Sequence, residues 1–106
     1  NYKKNEKELI MKKLLLLGAG GHCKSCIEVI NEKKEYKIFG ILDNNKKLKE
    51  KTLNNYKILG SDKLLESLST SIGSAFITVG QIYSCVPRLK LFKLLNKYKF
   101  KGNYSI

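Results

Sequence analysis

The stretch that decides the fold is Leu14-Leu15-Leu16-Leu17-Gly18-Ala19-Gly20-Gly21-His22. Its leucines form a short continuous apolar run, which is typical of a strand buried on both faces, and the run ends at a cluster of glycines. From His22 onwards the apolar residues follow a helical period, at positions i, i+3, i+4 and i+7: Cys23, Cys26, Ile27 and Ile30. We therefore expect a strand over 13–17, a glycine loop and a helix in succession.

A second strand is predicted over 36–42, where it ends at the turn-forming triplet Asp43-Asn44-Asn45. Strand, glycine loop, helix and strand together make one βαβ unit. The polar residues 46–57, rich in lysine and asparagine, are expected to form a surface loop. A very short strand is expected at 57–60, followed by a helix that Ser61 or Asp62 can cap and that runs to about residue 68.

The last third of the chain continues the alternation of strands and helices. A buried strand is predicted over 75–79, ending at Gly80, and a final one over 103–106. Pro87 suits the first turn of the helix between them, and the apolar stripe of that helix consists of Leu91, Leu94, Leu95 and Tyr98. This alternation predicts an α/β fold, a small parallel sheet with helices on its faces.

Length and charge narrow the classes of function. The chain has 106 residues, which suits one domain, and no apolar stretch long enough for a transmembrane helix. The net charge is +12, but Arg88 is the single arginine among 21 basic residues, and the lysines are scattered. Nucleic-acid binding is not expected, because no basic cluster alternates with stacking aromatic residues. The charge would still attract anionic ligands to a cleft.

The three cysteines favour a reducing, cytoplasmic compartment, because the count is odd and two of them are only three residues apart. The Cys23-Lys24-Ser25-Cys26 segment is compatible with a redox motif or a zinc site. A zinc site would need four ligands, and only His22 and Cys85 remain to join the pair. Both cysteines lie on the apolar stripe of the helix, so core packing is the favoured interpretation and no metal is expected.

The glycine loop is the candidate binding site. Tight strand-to-helix turns with glycine let a ligand approach the backbone, and the helix N-terminus offers free N–H groups to a diphosphate. Asp43, at the end of the next strand, is where an acidic side chain would accept a hydrogen bond from a ribose hydroxyl. The dinucleotide pattern is incomplete, since Cys23 stands where the third glycine would be. The alternative is that the glycines merely permit the turn.

His22, the single histidine, is predicted to donate a hydrogen bond to a phosphate, or else to serve as a turn or packing residue. No catalytic residue is assigned, because a general base needs a partner and a substrate proton in reach, and the sequence shows neither.

These motifs resemble one known family. The Gly18-Ala19-Gly20-Gly21-His22 segment, Phe39 to Asp43 at the second strand, Ile58 to Ser61 before a leucine-rich helix, and Ile77 to Gln81 with Arg88 downstream recur there. The chain is similar to the N-terminal domain of the bacterial sugar O- and N-acyltransferases, the sialic-acid O-acetyltransferase and UDP-4-amino-sugar N-acetyltransferase group. The resemblance covers residues 11–106, with residues 1–10 as an N-terminal extension.

The resemblance implies a small Rossmann-like domain that binds a nucleotide-sugar such as a UDP-sugar. It places the phosphates near Gly18, Ala19, Gly20, Gly21 and His22, the nucleoside near Asp43 and Asn44, and a further ligand-facing edge at Gly80. In the family, a C-terminal β-helix of hexapeptide repeats binds the co-substrate acetyl-CoA and supplies the catalytic histidine.

That β-helix also forms the family's homotrimers. No hexapeptide repeat occurs in this sequence. We therefore expect that the chain alone binds no cofactor, is inactive in acetyl transfer and can be a monomer. The alternative is a dinucleotide-binding module of the NAD type.

Overall fold

The computed structural model describes residues 11–79 and 86–101. Within these residues, five strands form one sheet: β1 (Lys12–Leu17), β2 (Tyr36–Leu42), β3 (Thr52–Leu53), β4 (Tyr56–Gly60) and β5 (Ser74–Ile77). The same part of the chain contains three α-helices: α1 (Gly21–Lys33), α2 (Leu65–Leu68) and α3 (Val86–Lys97). This small α/β domain confirms the predicted fold class.

The sheet order is β3-β4-β2-β1-β5. Neighbours β4, β2, β1 and β5 run parallel, and only β3 is antiparallel, to β4. From β1 the chain moves outward to β2 and β4, and it then returns to the other side of β1 as β5. The direction of winding therefore reverses between β1 and β5, which creates a crevice at the carboxyl ends of these two strands.

Both faces of the sheet are covered, which explains the unbroken leucine run in β1. Leu14 and Leu16 pack on one side against the stripe of α1. Leu15 and Leu17 pack on the other side with residues of α2 and α3, including Leu65 and Leu95. Each of the four β1 leucines is at most 1% exposed. Burying one such side chain stabilises the fold by about 1.5–3 kcal/mol relative to leaving it in water.

Most of the predicted elements are confirmed. β2 has the predicted bounds, β1 begins one residue earlier than predicted, and the predicted stripe of α3 packs in the core. β5 is shifted towards the N-terminus, to Ser74–Ile77, and Thr78 and Val79 follow it, although the Thr78 amide still donates to the Leu17 carbonyl at 2.9 Å. The predicted strand over 103–106 and the extension over 1–10 lie outside the described residues.

The segment 46–57, predicted to be a surface loop, lies at the surface but contains regular structure that was not predicted. The segment contains a turn of 3-10 helix at Lys46–Leu48 and the strand β3, which forms a hairpin with β4. Asn54 and Asn55 connect the two strands with φ angles of 52° and 72°. Asparagine adopts this left-handed conformation more readily than most residues, and a two-residue turn of this kind suits the twist of a hairpin.

The helix expected after β4 is less regular than predicted. A 3-10 turn at Asp62–Leu64 precedes the single turn of α2. Of the two capping residues considered, Ser61 is the N-cap: its hydroxyl oxygen accepts a hydrogen bond from the Lys63 amide at 3.3 Å.

Candidate functional site

A cavity of about 350 Å³ lies at the carboxyl edge of the sheet, where the winding reverses. Its walls come from the ends of β1 and β2, the segment after β4, Val79 after β5 and the first half of α3. The lining residues are Leu17, Gly18, Leu42, Asp43, Asn44, Asp62, Val79, Lys90 and Leu91. In open α/β sheets this crevice is the usual place for a ligand.

Asp43 connects the end of β2 to the glycine loop. Its Oδ2 accepts a hydrogen bond from the Ala19 amide at 2.8 Å, and its Oδ1 accepts one from the Asn45 amide at 2.8 Å. The Asp43 amide in turn donates to the Gly60 carbonyl at 2.8 Å. An ionised carboxylate has about four acceptor positions. Counting the hydrogen bonds within residues 11–79 and 86–101, two positions stay available on this carboxylate, which lines the cavity.

Gly18 occupies a position that only glycine fits. Its φ is +117°, and a Cβ built there would lie 2.5 Å from Cγ2 of Val79. The Gly18 amide donates to the Leu42 carbonyl at 2.8 Å, and its carbonyl accepts from the Thr78 hydroxyl at 2.7 Å. The loop is therefore held by the ends of both strands that flank β1.

The N-terminus of α1 is open. Gly20 is the N-cap, and a Cβ built on Gly20 or Gly21 would meet nothing within 4 Å. In residues 11–79 and 86–101, the Gly21 and His22 amides have no hydrogen-bond acceptor. Helix N-termini with free N–H groups attract anions. His22 is exposed in this first turn.

The predicted site residues divide into three groups. Gly18, Asp43 and Asn44 line the cavity. Ala19 is attached to it through the bond from its amide to Asp43. Gly20, Gly21 and His22 form the adjoining helix N-terminus rather than the cavity wall. Gly80 lies outside the described residues.

Sequence reasoning missed several residues of the cavity wall. Asp62 was considered only as a helix cap, yet it forms two hydrogen bonds with Asn44, both at 3.0 Å. Its position just after a parallel strand was the available signal, because the carboxyl ends of parallel strands share one edge. Val79, Lys90 and Leu91 were also missed as wall residues.

A second depression, of about 500 Å³, adjoins the cavity and shares Asp43, Asn44 and Asp62 with it. Lys46, Lys49 and Lys63 line this depression. The three ammonium groups outnumber the carboxylates of Asp43 and Asp62 by one charge, so this area carries a net positive charge that favours anionic ligands.

Arg88, to which no ligand role was assigned, fixes the start of α3. Its Nη1 donates a hydrogen bond to the Val79 carbonyl at 2.7 Å. This bond ties the first turn of α3 to the segment that follows β5.

Cys23 and Cys26 pack in the core, as predicted, at 0% and 2% exposure. Burial raises the pKa of both thiols, which disfavours a reactive thiolate. For Cys23, the contact with Thr78 lowers the pKa, but this effect is smaller than the effect of burial. No three His, Cys, Asp or Glu side chains within 11–79 and 86–101 are grouped so that they could hold a metal ion.

No helix in the described part of the chain is long and apolar enough to cross a membrane.

The strand order and the crevice at its reversal define a Rossmann-like α/β domain. The chain belongs to the family of the PglD N-terminal domain, whose model matches residues 13–95. This match confirms the resemblance to the N-terminal domain of the sugar acetyltransferases. A comparison with curated proteins found no match.

Solved structures share the fold. A variant of perosamine N-acetyltransferase from Caulobacter crescentus, in complex with CoA and GDP-perosamine, has a TM-score of 0.70 and 22% identity, over 83% of this chain and 39% of that one. UDP-D-quinovosamine 4-dehydrogenase from Vibrio fischeri has a TM-score of 0.72 and 22% identity, over 87% of this chain and 75% of that one. The acetyltransferase domain of PglB from Neisseria gonorrhoeae, in complex with acetyl coenzyme A, has a TM-score of 0.68 and 25% identity, over 86% and 42%. The chain thus spans about two fifths of the length of these acetyltransferases.

Proposed function

We propose that this chain is the nucleotide-sugar-binding domain of a sugar acetyltransferase. The observation that carries the proposal is that the open N-terminus of α1 and the Asp43 carboxylate lie at the same edge of the sheet, next to the cavity. The first feature suits a diphosphate and the second suits a ribose hydroxyl. Membership of the PglD N-terminal domain family supports the same function.

In this proposal the diphosphate binds at the Gly20, Gly21 and His22 amides, and the nucleoside lies towards Asp43 and Asn44. The positive potential of Lys46, Lys49 and Lys63 supports an anionic ligand. Acetyl transfer from acetyl-CoA to the sugar would take place on a further domain, as in the full-length acetyltransferases, for which we propose a homotrimer. The buried free thiols Cys23 and Cys26 support a cytoplasmic location.

The first test is thermal unfolding in the presence of UDP, a UDP-amino-sugar, a CMP-sugar, NAD or acetyl-CoA. A ligand at a hundred times its dissociation constant adds about 2.7 kcal/mol of stability. For a domain of this size that corresponds to a rise of roughly ten degrees in the unfolding midpoint. We expect this rise with the UDP ligands. A chain that responds to no nucleotide-sugar would contradict the proposal.

A matched pair of variants locates the binding site. Gly21→Asp adds a carboxylate in open space at the helix N-terminus, where a negative charge favours the free protein but repels a phosphate. Gly73→Asp adds the same charge, also in open space, just before β5 at the opposite edge of the sheet. We expect Gly21→Asp to lose the response to UDP and Gly73→Asp to keep it.

The second candidate function is binding of an NAD-type dinucleotide, and Asp43 is the observation that favours it. An acidic residue at the end of the second strand is the feature that recognises the ribose of NAD in dinucleotide-binding folds. A response to NAD but to no UDP ligand would select this alternative.

A further inference from the structure

One peptide group of the glycine loop is held at both of its ends. The carbonyl of Gly18 and the amide of Ala19 belong to the same peptide unit. The carbonyl accepts a hydrogen bond from the Thr78 hydroxyl at 2.7 Å, and the amide donates to Asp43 Oδ2 at 2.8 Å. Thr78 follows β5 and Asp43 follows β2, so the two side chains come from opposite sides of β1.

The two hydrogen bonds allow only one orientation of this peptide group. A carboxylate accepts hydrogen bonds and does not donate them, so Asp43 requires an N–H at its end of the peptide. The carbonyl must then point to the other end, where Thr78 is fully buried and supplies a donor. A flipped peptide would turn the Gly18 carbonyl towards the Asp43 carboxylate and lose both bonds.

This orientation bears on the binding of an anion. The Gly20 carbonyl is also turned inwards, since it accepts from the Cys23 amide at 3.0 Å. The carbonyl oxygens of Gly18 and Gly20 therefore point away from the N-terminus of α1. In another orientation they would present partial negative charge to a phosphate bound there. The buried side chain of Cys23 also contacts Thr78.

We infer that Thr78 is a positioning residue for anion binding: it fixes the orientation of the Gly18–Ala19 peptide, on which the affinity of the α1 N-terminus for a diphosphate depends. This inference rests on the proposed function, because it concerns the same site. Thr78 itself is buried beneath the loop and acts through the Gly18 carbonyl.

The test measures UDP binding by isothermal titration, at a temperature where all variants are folded. Thr78→Val has nearly the same shape without the hydroxyl, and we expect its affinity for UDP to fall at least tenfold. Thr78→Ser restores the donor and should bind within threefold of the unmodified chain. Ile72→Val, a core change away from the loop, controls for a loss of stability and should also bind within threefold.

The outcomes separate this inference from the proposed function. If the unmodified chain binds UDP and Thr78→Val binds it equally well, the inference is overturned and the proposed function stands. If the unmodified chain binds neither UDP nor a UDP-sugar, the proposed function fails and this inference fails with it. Loss of UDP binding in Thr78→Val, together with its recovery in Thr78→Ser, supports both the inference and the proposed function.

A second measurement applies even if Thr78→Val does not fold. In the unmodified chain, the Ala19 amide should exchange its hydrogen as slowly as amides of β1 such as that of Leu16. The free Gly21 amide serves as the fast reference. Exchange of Ala19 as fast as that of Gly21 would show that the peptide is not held and would overturn the inference.

Discussion

Asn44 and Asp62 are joined by two reciprocal hydrogen bonds. The Asn44 Nδ2 donates to Asp62 Oδ2, and the Asp62 amide donates to Asn44 Oδ1, both at 3.0 Å. The segment after β2 is thus connected side by side with the segment after β4, and both residues belong to the cavity wall and to the adjoining depression. The wall between these two spaces is a hydrogen-bonded unit rather than a pair of independent loops.

We expect this pair to show energetic coupling. In a double-mutant cycle of Asn44→Ala and Asp62→Ala, each single change should lower the free energy of unfolding, and the double change should cost less than their sum by about 1 kcal/mol. Urea unfolding of the four proteins measures the coupling. Because Asp62→Ala keeps the backbone amide that donates to Asn44 Oδ1, strictly additive effects would show that the bond between the two side chains contributes nothing in solution.

Gly18→Ala should destabilise the domain strongly. The new methyl group would clash with Val79, and alanine at a φ of +117° adds backbone strain. Together these effects amount to roughly 2–5 kcal/mol, which should lower the unfolding midpoint by at least ten degrees for a domain of this size. Gly73→Ala is the control, since its Cβ meets nothing within 4 Å; a Gly18→Ala protein as stable as this control would contradict the geometry.

The buried thiols predict a dependence of stability on alkaline pH. Burial raises the pKa of Cys23 above its ordinary value of 9.0. The unfolded chain therefore loses this proton at a lower pH than the folded one. The contribution of the buried thiol to stability is complete below pH 9 and declines as the pH rises above it.

Comparison of the unmodified chain with Cys23→Ala tests this expectation. The difference in the free energy of unfolding between them should be constant from pH 6 to about pH 8 and should shrink above pH 9. Alkylation with iodoacetamide, mapped by mass spectrometry, provides an independent measure: Cys23 and Cys26 should react much more slowly in the native protein than in urea. Equal rates would show that the two thiols are accessible.

Lys90 should contribute to the binding of an anionic nucleotide because it lines the cavity. In a solvent-exposed site, an ammonium group a few ångströms from a phosphate contributes about 1 kcal/mol to the free energy of binding. Lys90→Gln should therefore weaken UDP binding roughly fivefold. Lys93→Gln, an exposed position on the same helix outside the cavity wall, is the matched control. A weakening shared equally by both variants would assign the effect to net charge instead of to the site.

The sequence was sufficient to predict the elements that are defined by local patterns. Each of these patterns extends over several residues, and the structure forms the predicted element at each: the leucine run in β1, the apolar stripe with Cys23 and Ile27 in α1, and the strand over 36–42. The hairpin of β3 and β4 was not predicted. Its strands are short, and its turn depends on the φ angles of two asparagines, for which no apolar pattern gives a signal.

The sequence predicted the place of the candidate site more accurately than it predicted the contacts that form the site. It selected Asp43 as a ligand-binding side chain, whereas the structure shows that the carboxylate first holds the Ala19 and Asn45 amides. It gave no indication of the bond between Thr78 and Gly18, because these residues become neighbours only when β5 joins β1. Such contacts depend on strand order, which no local pattern encodes.

The strand order also has a kinetic consequence. The contact between Ala19 and Asp43 closes 24 residues of chain, whereas that between Gly18 and Thr78 closes 60. The longer closure costs about 0.8 kcal/mol more entropy, and β5 leaves the ribosome well after the first βαβ unit is complete. We therefore expect β1, α1 and β2 to assemble early, with β5 and α3 docking last. The cavity, whose far wall includes Val79 after β5, comes into existence only at that final step.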